Sequence, residues 1–302
     1  MKFYSAAFSL IILFITGSIS AQPARTEAEK QLYARNKIKT IEVTSLKLNK
    51  DIDKLTLLDE RTRLDRDGNI LEQTYFDSTG LEMLKWTYIW KGGRETERIF
   101  CTYRDTIAKS YLYYNEKGGL RSEITENNDG KPLCKFTYTC DAKGRVTESS
   151  EDVYPEFQSF LKQAYRSDRQ GYLILRYMDE SKSHIRVHYK YEYSRKGLLE
   201  KVVEMKMDTV DFAWINIDYT RDGFRKTFSV RHLNGKRYKC FYTYDSHGYL
   251  KEETGFYYLN TVVLDQERNS FMVDAKGKIK KRIKYRNNEM YMLYNYTYEY
   301  WE

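Results

Sequence analysis

The chain has 302 residues, with 51 Lys or Arg against 43 Asp or Glu, a net charge of +8, and 29 tyrosines. Charges alternate in sign along the sequence and form no basic cluster, which describes a solvated surface and excludes a nucleic-acid-binding one. Only the first twenty or so residues form a long apolar run, so no membrane-spanning helix is expected after them, and the length suffices for a sizeable core.

In chain order, residues 1–21 read as a secretory signal peptide: Lys2, an apolar stretch from Ala6 to Ile15, then small residues ending at Ala21. Cleavage is expected between Ala21 and Gln22, and no Cys stands there to take a lipid. The mature protein is then periplasmic, cell-surface or secreted. Without Lys2 its net charge is +7, which suits solubility or weak attraction to an acidic polysaccharide or an anionic membrane surface. Residues 22–37 form a leader, within which Thr26–Lys37 reads as a short helix or a disordered segment. Residues 38–302 read as one β-repeat domain, its first strand running from Ile38 to Leu48.

From there glycines recur at nearly constant spacing: Gly68, Gly92, Gly118, Gly144, Gly171, Gly197, Gly223, Gly248 and Gly277, at intervals of 24 to 29 residues. Four and six residues before each stand mostly apolar or aromatic residues, among them Trp86 and Tyr88, Leu112 and Tyr114, Tyr191 and Tyr193, Tyr242 and Tyr244. Two residues after it stand Ile70, Leu120, Val146, Leu173, Leu199, Leu250 and Ile279, with Arg94 and Arg225 as exceptions. Side chains alternate across a strand with period two, so each unit has one aromatic-aliphatic face and one polar face. Arg186–Tyr193 shows this plainly, with Val187, Tyr189, Tyr191 and Tyr193 opposite Arg186, His188, Lys190 and Glu192. The glycines supply the positive φ of tight hairpin turns. A second turn series falls half a period away, around Gly80, Gly130, Asn234-Gly235, Asn260 and Asn287-Asn288. The expectation is all-β: tandem antiparallel hairpins of period about 26 forming one long curled meander of 18 to 20 strands, a spiral or barrel-like shell.

An amphipathic sheet must hide its apolar face, so the tyrosines are expected inside the curl. A membrane barrel would need a lipid-facing apolar band, whereas the less apolar face is studded with Lys, Arg and Glu. Around Pro155 the run PEFQSFLKQ interrupts the alternation and reads as a short helix or a longer loop. The last strand, Tyr291–Trp301, carries aromatic residues on both faces and is expected to cap the array or meet another chain.

The segments FTYTCDAKGRVTESS, FYTYDSHGYLKEETG, YKYEYSRKGLLEK and YLYYNEKGGLRSEI resemble YD repeats, the units of RHS-type bacterial surface proteins. Tyr244-Asp245 preserves the dipeptide; Tyr114-Asn115, Cys140-Asp141 and Tyr193-Ser194 replace it elsewhere. The resemblance implies an exported bacterial β-repeat protein. The large RHS proteins enclose a toxin domain, and nothing in this sequence resembles one.

No catalytic, cofactor-binding or metal-binding residue is singled out. Cys101, Cys134, Cys140 and Cys240 fall among apolar positions and read as free thiols. His184 and His188 have helical metal-ligand spacing but lie in a strand, and DRDGN from Asp65 to Asn69 reads as a turn, because its glycine comes too early for a calcium loop. The functional expectation is a non-catalytic binding protein of the cell envelope, its partner an envelope glycan or surface protein, peripheral to the membrane at most. A carbohydrate-active enzyme with carboxylates in a groove, or a structural or chaperone-like protein, is the alternative.

Overall fold

The computed structural model describes residues 30–302 apart from 48–55, 104, 143–145, 154–157, 169–172, 181–184, 207–209 and 233. Residues 1–21, read above as a signal peptide, lie outside them, as do Gly144, Gly171 and His184. A single helical turn over residues 30–35 precedes twenty strands. They are β1 (Ile38–Lys47), β2 (Thr56–Leu64), β3 (Ile70–Phe76), β4 (Glu82–Lys91), β5 (Arg94–Thr102), β6 (Asp105–Tyr114), β7 (Leu120–Asn127), β8 (Pro132–Cys140), β9 (Val146–Val153) and β10 (Gln158–Ser167). The second half comprises β11 (Leu173–Glu180), β12 (Ile185–Tyr193), β13 (Leu199–Lys206), β14 (Val210–Tyr219), β15 (Arg225–His232), β16 (Lys236–Tyr244), β17 (Leu250–Leu259), β18 (Val262–Val273), β19 (Ile279–Arg286) and β20 (Glu289–Tyr300).

Every strand pairs antiparallel with its sequence neighbours, and β20 pairs with β1 along its length, from Ile38↔Tyr300 to Lys47↔Met292. The meander is therefore a closed barrel, which removes the open edges of a sheet. All even-to-odd turns lie on one rim, and these are the turns of the regular glycine series. Two expectations are corrected. The PEFQSFLKQ region contributes strand β10 from Gln158 onward, paired with both β9 and β11, because sheet pairing on two sides outweighs a weak local pattern. The last strand neither caps the array nor presents aromatics on both faces. It closes the ring, and Tyr291 is the extra residue of a bulge between Lys284↔Met292 and Tyr285↔Met290, which leaves Tyr294, Tyr296, Tyr298 and Tyr300 on one face.

At the glycine rim one turn design recurs, except at Gly92-Gly93, where Lys91 pairs directly with Arg94. The residue three before the glycine accepts hydrogen bonds on its side chain from the backbone of the turn: Asp245 from the N–H of His247 and of Tyr249, both 2.9 Å, and Asp274 from Lys276 and Lys278. Asn115, Ser194 and Thr220 each accept one such bond four residues on. The DRDGN segment is this turn, with Asp65 bonded to the N–H of Asp67 and Asn69. A positive φ, +82° at Gly248, completes it. Just beyond, the register slips by one residue, as between Tyr113↔Ser122 and Tyr114↔Leu120, so a bulge follows the turn.

The bulge decides which side chains face the interior. In β7 the inner residues are Leu120, then Glu123 and Thr125, and in β13 they are Leu199, then Val202 and Glu204. Burial identifies the concave face: Phe100, Ala108, Ser110, Glu123, Thr125, Phe136, Glu151, Ile217 and Cys240 are all buried and fall on one side of the ring by register. The aromatic face is thus inside, as its amphipathic pattern demands. The outer face instead carries ion pairs such as Arg61–Glu42 at 2.8 Å and Lys85–Glu72 at 2.9 Å.

Candidate functional site

Twenty strands spaced about 4.8 Å and tilted about 40° make a ring roughly 125 Å around, about 40 Å across if round. That is about four times the ~10 Å at which two sheets pack face to face. Among the described residues, every strand-to-strand side-chain hydrogen bond, ion pair and ring contact joins strands at most two apart, the longest reaches being Arg98 on β5 to Glu123 on β7 and Arg282 on β19 to Glu253 on β17. The inner wall is therefore tied along itself, and the lumen it encloses is the candidate site.

Aromatic side chains hold neighbouring units together at the glycine rim. A residue at or near the end of an even strand donates to a carbonyl at the start of the preceding odd strand: Tyr114 to Glu95 at 2.7 Å, Tyr219 to Leu199 and Tyr244 to Arg225 at 2.8 Å, Tyr298 to Ile279 at 2.6 Å, and Trp90 Nε1 to Ile70 at 2.8 Å. Arg94 and Arg225, the exceptions to the aliphatic pattern, lie over Tyr114 and Tyr242 of the next unit, with centroid distances of 5.7 and 5.6 Å. Cation and ring substitute there for a hydrophobic contact. Further in, Arg176 sits over both Tyr165 and Tyr189, and Arg282 over both Phe271 and Tyr294. The lumen wall is thus a set of half-buried aromatic faces with fixed guanidinium groups between them.

One stretch of this wall is densely polar. Glu123 and Glu151 flank Phe136 in register and are 1% and 2% exposed. Arg98 donates to Glu95 at 2.8 Å and reaches Glu123 at 3.5 Å, and Ser110 and Thr125 share a 2.8 Å hydrogen bond. Burial raises the Glu123 carboxyl although Arg98 opposes it. Burial would lower Arg98, but Glu95 and Glu123 outweigh it and leave it raised. Glu151 has no such cation: burial, with a smaller push from Asp152, lifts it to about 7. Glu123 Oε2, Glu151 Oε1 and the Tyr138 hydroxyl lack hydrogen-bond partners within the protein. As folded, neither carboxylate is open to a substrate. A cleft of about 330 Å³ lies instead on the outer wall of β4 and β5, lined by residues including Lys85, Ile99, Cys101 and Tyr103.

All four cysteines are free; Cys134 and Cys240 are buried, Cys101 and Cys140 half-buried. Cys101 differs from the other three in facing outward. Among the described residues no group of three His, Cys, Asp or Glu could hold a metal ion. His188 lies on the outer face of β12, His232 faces inward beside Glu204, and His247 sits in a turn. Glu123, Glu151 and Arg98 were invisible as inner residues in the sequence, because alternation counted without the bulge places Ser122 and Ile124 inside.

No protein-family model and no curated protein sequence matches the chain. Among solved structures, it is similar to a porin-like protein from Bacteroides uniformis, with 11% identity over 87% of this chain and 98% of that one at a TM-score of 0.35. A porin-like protein from Bacteroides vulgatus gives 10%, 87%, 99% and 0.30. The TcdB2-TccC3 structure gives 14% identity over 82% of this chain and 18% of that one, at a TM-score of 0.30. Superpositions this loose carry no argument about function.

Proposed function

We propose that the mature chain is a non-catalytic, exported binding protein of the bacterial cell envelope, a shell that holds an extended ligand, a glycan chain foremost, along the tyrosines of its inner wall. The observation that supports this is the closed twenty-strand ring, too wide to be filled by its own side chains and lined with half-buried aromatic faces. Rings offer apolar faces to the carbon skeleton of a sugar, and the guanidinium groups beside them attract acidic substituents. The export signal supplies the compartment. Kinship with YD repeats belongs to the same reading. Tyr244 staples one unit to the last, Asp245 caps the turn, and Gly248 takes the positive φ, so each position of the motif has a physical role.

Titrating the mature protein with envelope polysaccharides, with hydrolysis assays alongside, tests the proposal. Binding should weaken at least roughly tenfold for Tyr191→Ala or Tyr294→Ala and should weaken with salt. Turnover abolished by changing one Asp or Glu would overturn the non-catalytic reading. Binding indifferent to both tyrosines would place the ligand outside the lumen.

A further inference from the structure

On the outer face a row runs directly across four strands: Trp214 on β14 opposite Arg231 on β15, Arg231 opposite Arg237 on β16, and Arg237 opposite Tyr258 on β17. Like charges directly opposite each other destabilise a sheet, and the rest of this face avoids them with pairs such as Arg61–Glu42 and Lys85–Glu72. Here each guanidinium rests on a ring instead, Arg231 at 4.9 Å from Trp214 and Arg237 at 4.4 Å from Tyr258. Lys236 stands beside them, exposed, and Lys239 lies over Phe241 at 4.8 Å. Among the described residues no carboxylate pairs with any of these four cations. Nearby Asp265 is taken by Arg286 at 2.6 Å, and Glu289 is the acidic neighbour on the adjoining hairpin.

Next to this row, the β17–β18 hairpin projects at the rim opposite the glycine turns, with Leu259, Val262, Val263 and Leu264 between 41% and 61% exposed. Val263 pairs with Tyr258, so the aliphatic tip and the arginine row are continuous. Of the thirteen exposed large apolar side chains among the described residues, seven lie in hairpins of this rim, including Leu81, Tyr103 and Met290. The bias marks the rim as a contact surface and not as scattered exposure. Arg237 stands level with Tyr258 and Val263 in register, one residue behind Leu259, so the cations and the aliphatic tip share one depth, as at the boundary between headgroups and acyl chains, where long basic side chains reach back to phosphate while apolar groups enter.

We propose that this rim, centred on the β17–β18 hairpin, docks on an anionic phospholipid bilayer. Leu259, Val262, Val263 and Leu264 enter the interface, while Arg231, Arg237, Lys236 and Lys239, level with them or just behind, extend their side chains to the headgroup phosphates. A polysaccharide would satisfy the cations but has no apolar phase in which to bury four aliphatic side chains, which is why the bilayer is the occupant the patch fits. The lumen then opens toward the membrane.

Flotation of the full mature chain with vesicles of phosphatidylcholine alone, or mixed with phosphatidylglycerol, tests this. Binding is expected only with phosphatidylglycerol and should fall with salt. Val262→Asp with Leu264→Asp, and separately Arg231→Glu with Arg237→Glu, should each weaken it roughly tenfold or more, whereas Met272→Asp on the outer wall should not. Hydrogen exchange of the unsubstituted protein, which does not depend on a variant folding, should slow across 258–265 on adding the anionic vesicles. Failure to float at low salt, flotation indifferent to both double variants, or slowing confined to other segments would overturn the proposal. So would concentration-dependent dimerisation without vesicles that Val262→Asp abolishes, because a second copy would then cover the patch.

Discussion

Replacing Glu151 by Gln isolates the least compensated group in the barrel wall. The carboxyl is 2% exposed, one oxygen has no partner, and Phe136 sits opposite in register. Cys134 and Tyr138 on β8 add no cation, and Asp152 on its own strand adds repulsion. Burial first, then Asp152, raises the carboxyl from 4.5 to about 7. Between these values the unfolded chain is ionised while the folded protein still holds the proton. Stability therefore falls as pH rises through this window, and the whole penalty stands above pH 7. At ~1.4 kcal/mol per unit it comes to about 3 kcal/mol. Gln resembles the protonated acid, so Glu151→Gln should be nearly neutral at pH 4.5 and stabilising by about 3 kcal/mol at pH 8.5. In a chain of this size that is a Tm rise of about 6 °C. Thermal melts of both proteins across this pH range measure the difference directly. A gap that does not change with pH, or a variant less stable at pH 8.5, would refute the assignment of Glu151 as a buried, uncompensated carboxyl.

Further expectations follow from the glycine rim and the thiols. Removing one staple hydroxyl, as in Tyr219→Phe or Tyr244→Phe, should cost about 1 kcal/mol in denaturant melts, whereas Tyr113→Phe on the exposed outer face should cost nothing measurable. Gly68→Ala should release the helical turn over 30–35, because a Cβ there would run into the Lys30 carbonyl oxygen at a φ of +80°; limited proteolysis near residue 30 would show it. Gly255→Ala should cost about 1–3 kcal/mol, since its Cβ would meet the Tyr238 hydroxyl at 2.5 Å and that ring is held by Tyr257 at 4.8 Å. With burial pushing the Cys134 thiol up to about 12, a thiol reagent at pH 8 should label outward-facing Cys101 first and all four cysteines only after unfolding; rapid native labelling of Cys134 would contradict its placement.

Much of the architecture was legible because a repeated hairpin imposes one register many times. The glycine spacing located the turns of one rim, and the aromatic residues four and six before each glycine identified the inner face. What stayed hidden arises from two features with no local sequence mark. The bulge after each turn shifts parity by one, so Glu123 and Glu151 read as surface carboxylates when they are wall residues, and Ile124 reads as core when it faces out. Gly255 falls outside the glycine series and is a strand residue whose missing Cβ makes room for Tyr238 from the neighbouring strand, a contact between chain positions seventeen residues apart. The arginine row on β15 and β16 was hidden for the same reason: Arg231 and Arg237 become neighbours only through cross-strand pairing.

Closure itself needs a reason, since a meander of identical hairpins could continue indefinitely. The repeat does not end by a change of fold. Tyr298 still bonds to Ile279 at the glycine rim, and the partner of β20 is β1. β1 and β20 are joined by contacts that the interior units do not show among the described residues. The Trp301 N–H donates to the Lys37 carbonyl at 2.8 Å, Lys39 and Arg66 lie over the Trp301 ring at 5.6 Å, and Tyr33 of the helical turn packs with Tyr296 and Tyr298 against the buried cluster of Ile38, Ile41 and Leu64. Ile38 and Leu64 in this seam are 1% exposed, tighter than almost any other apolar side chain in the wall. The seam is therefore a compact hydrophobic cluster that takes in the helical turn as well as the wall, whereas the other cluster, of Cys134, Phe136 and Tyr138, lies within the wall itself. An array whose other contacts are only between neighbours can be closed at one chosen strand number when its two terminal segments are built to fit each other.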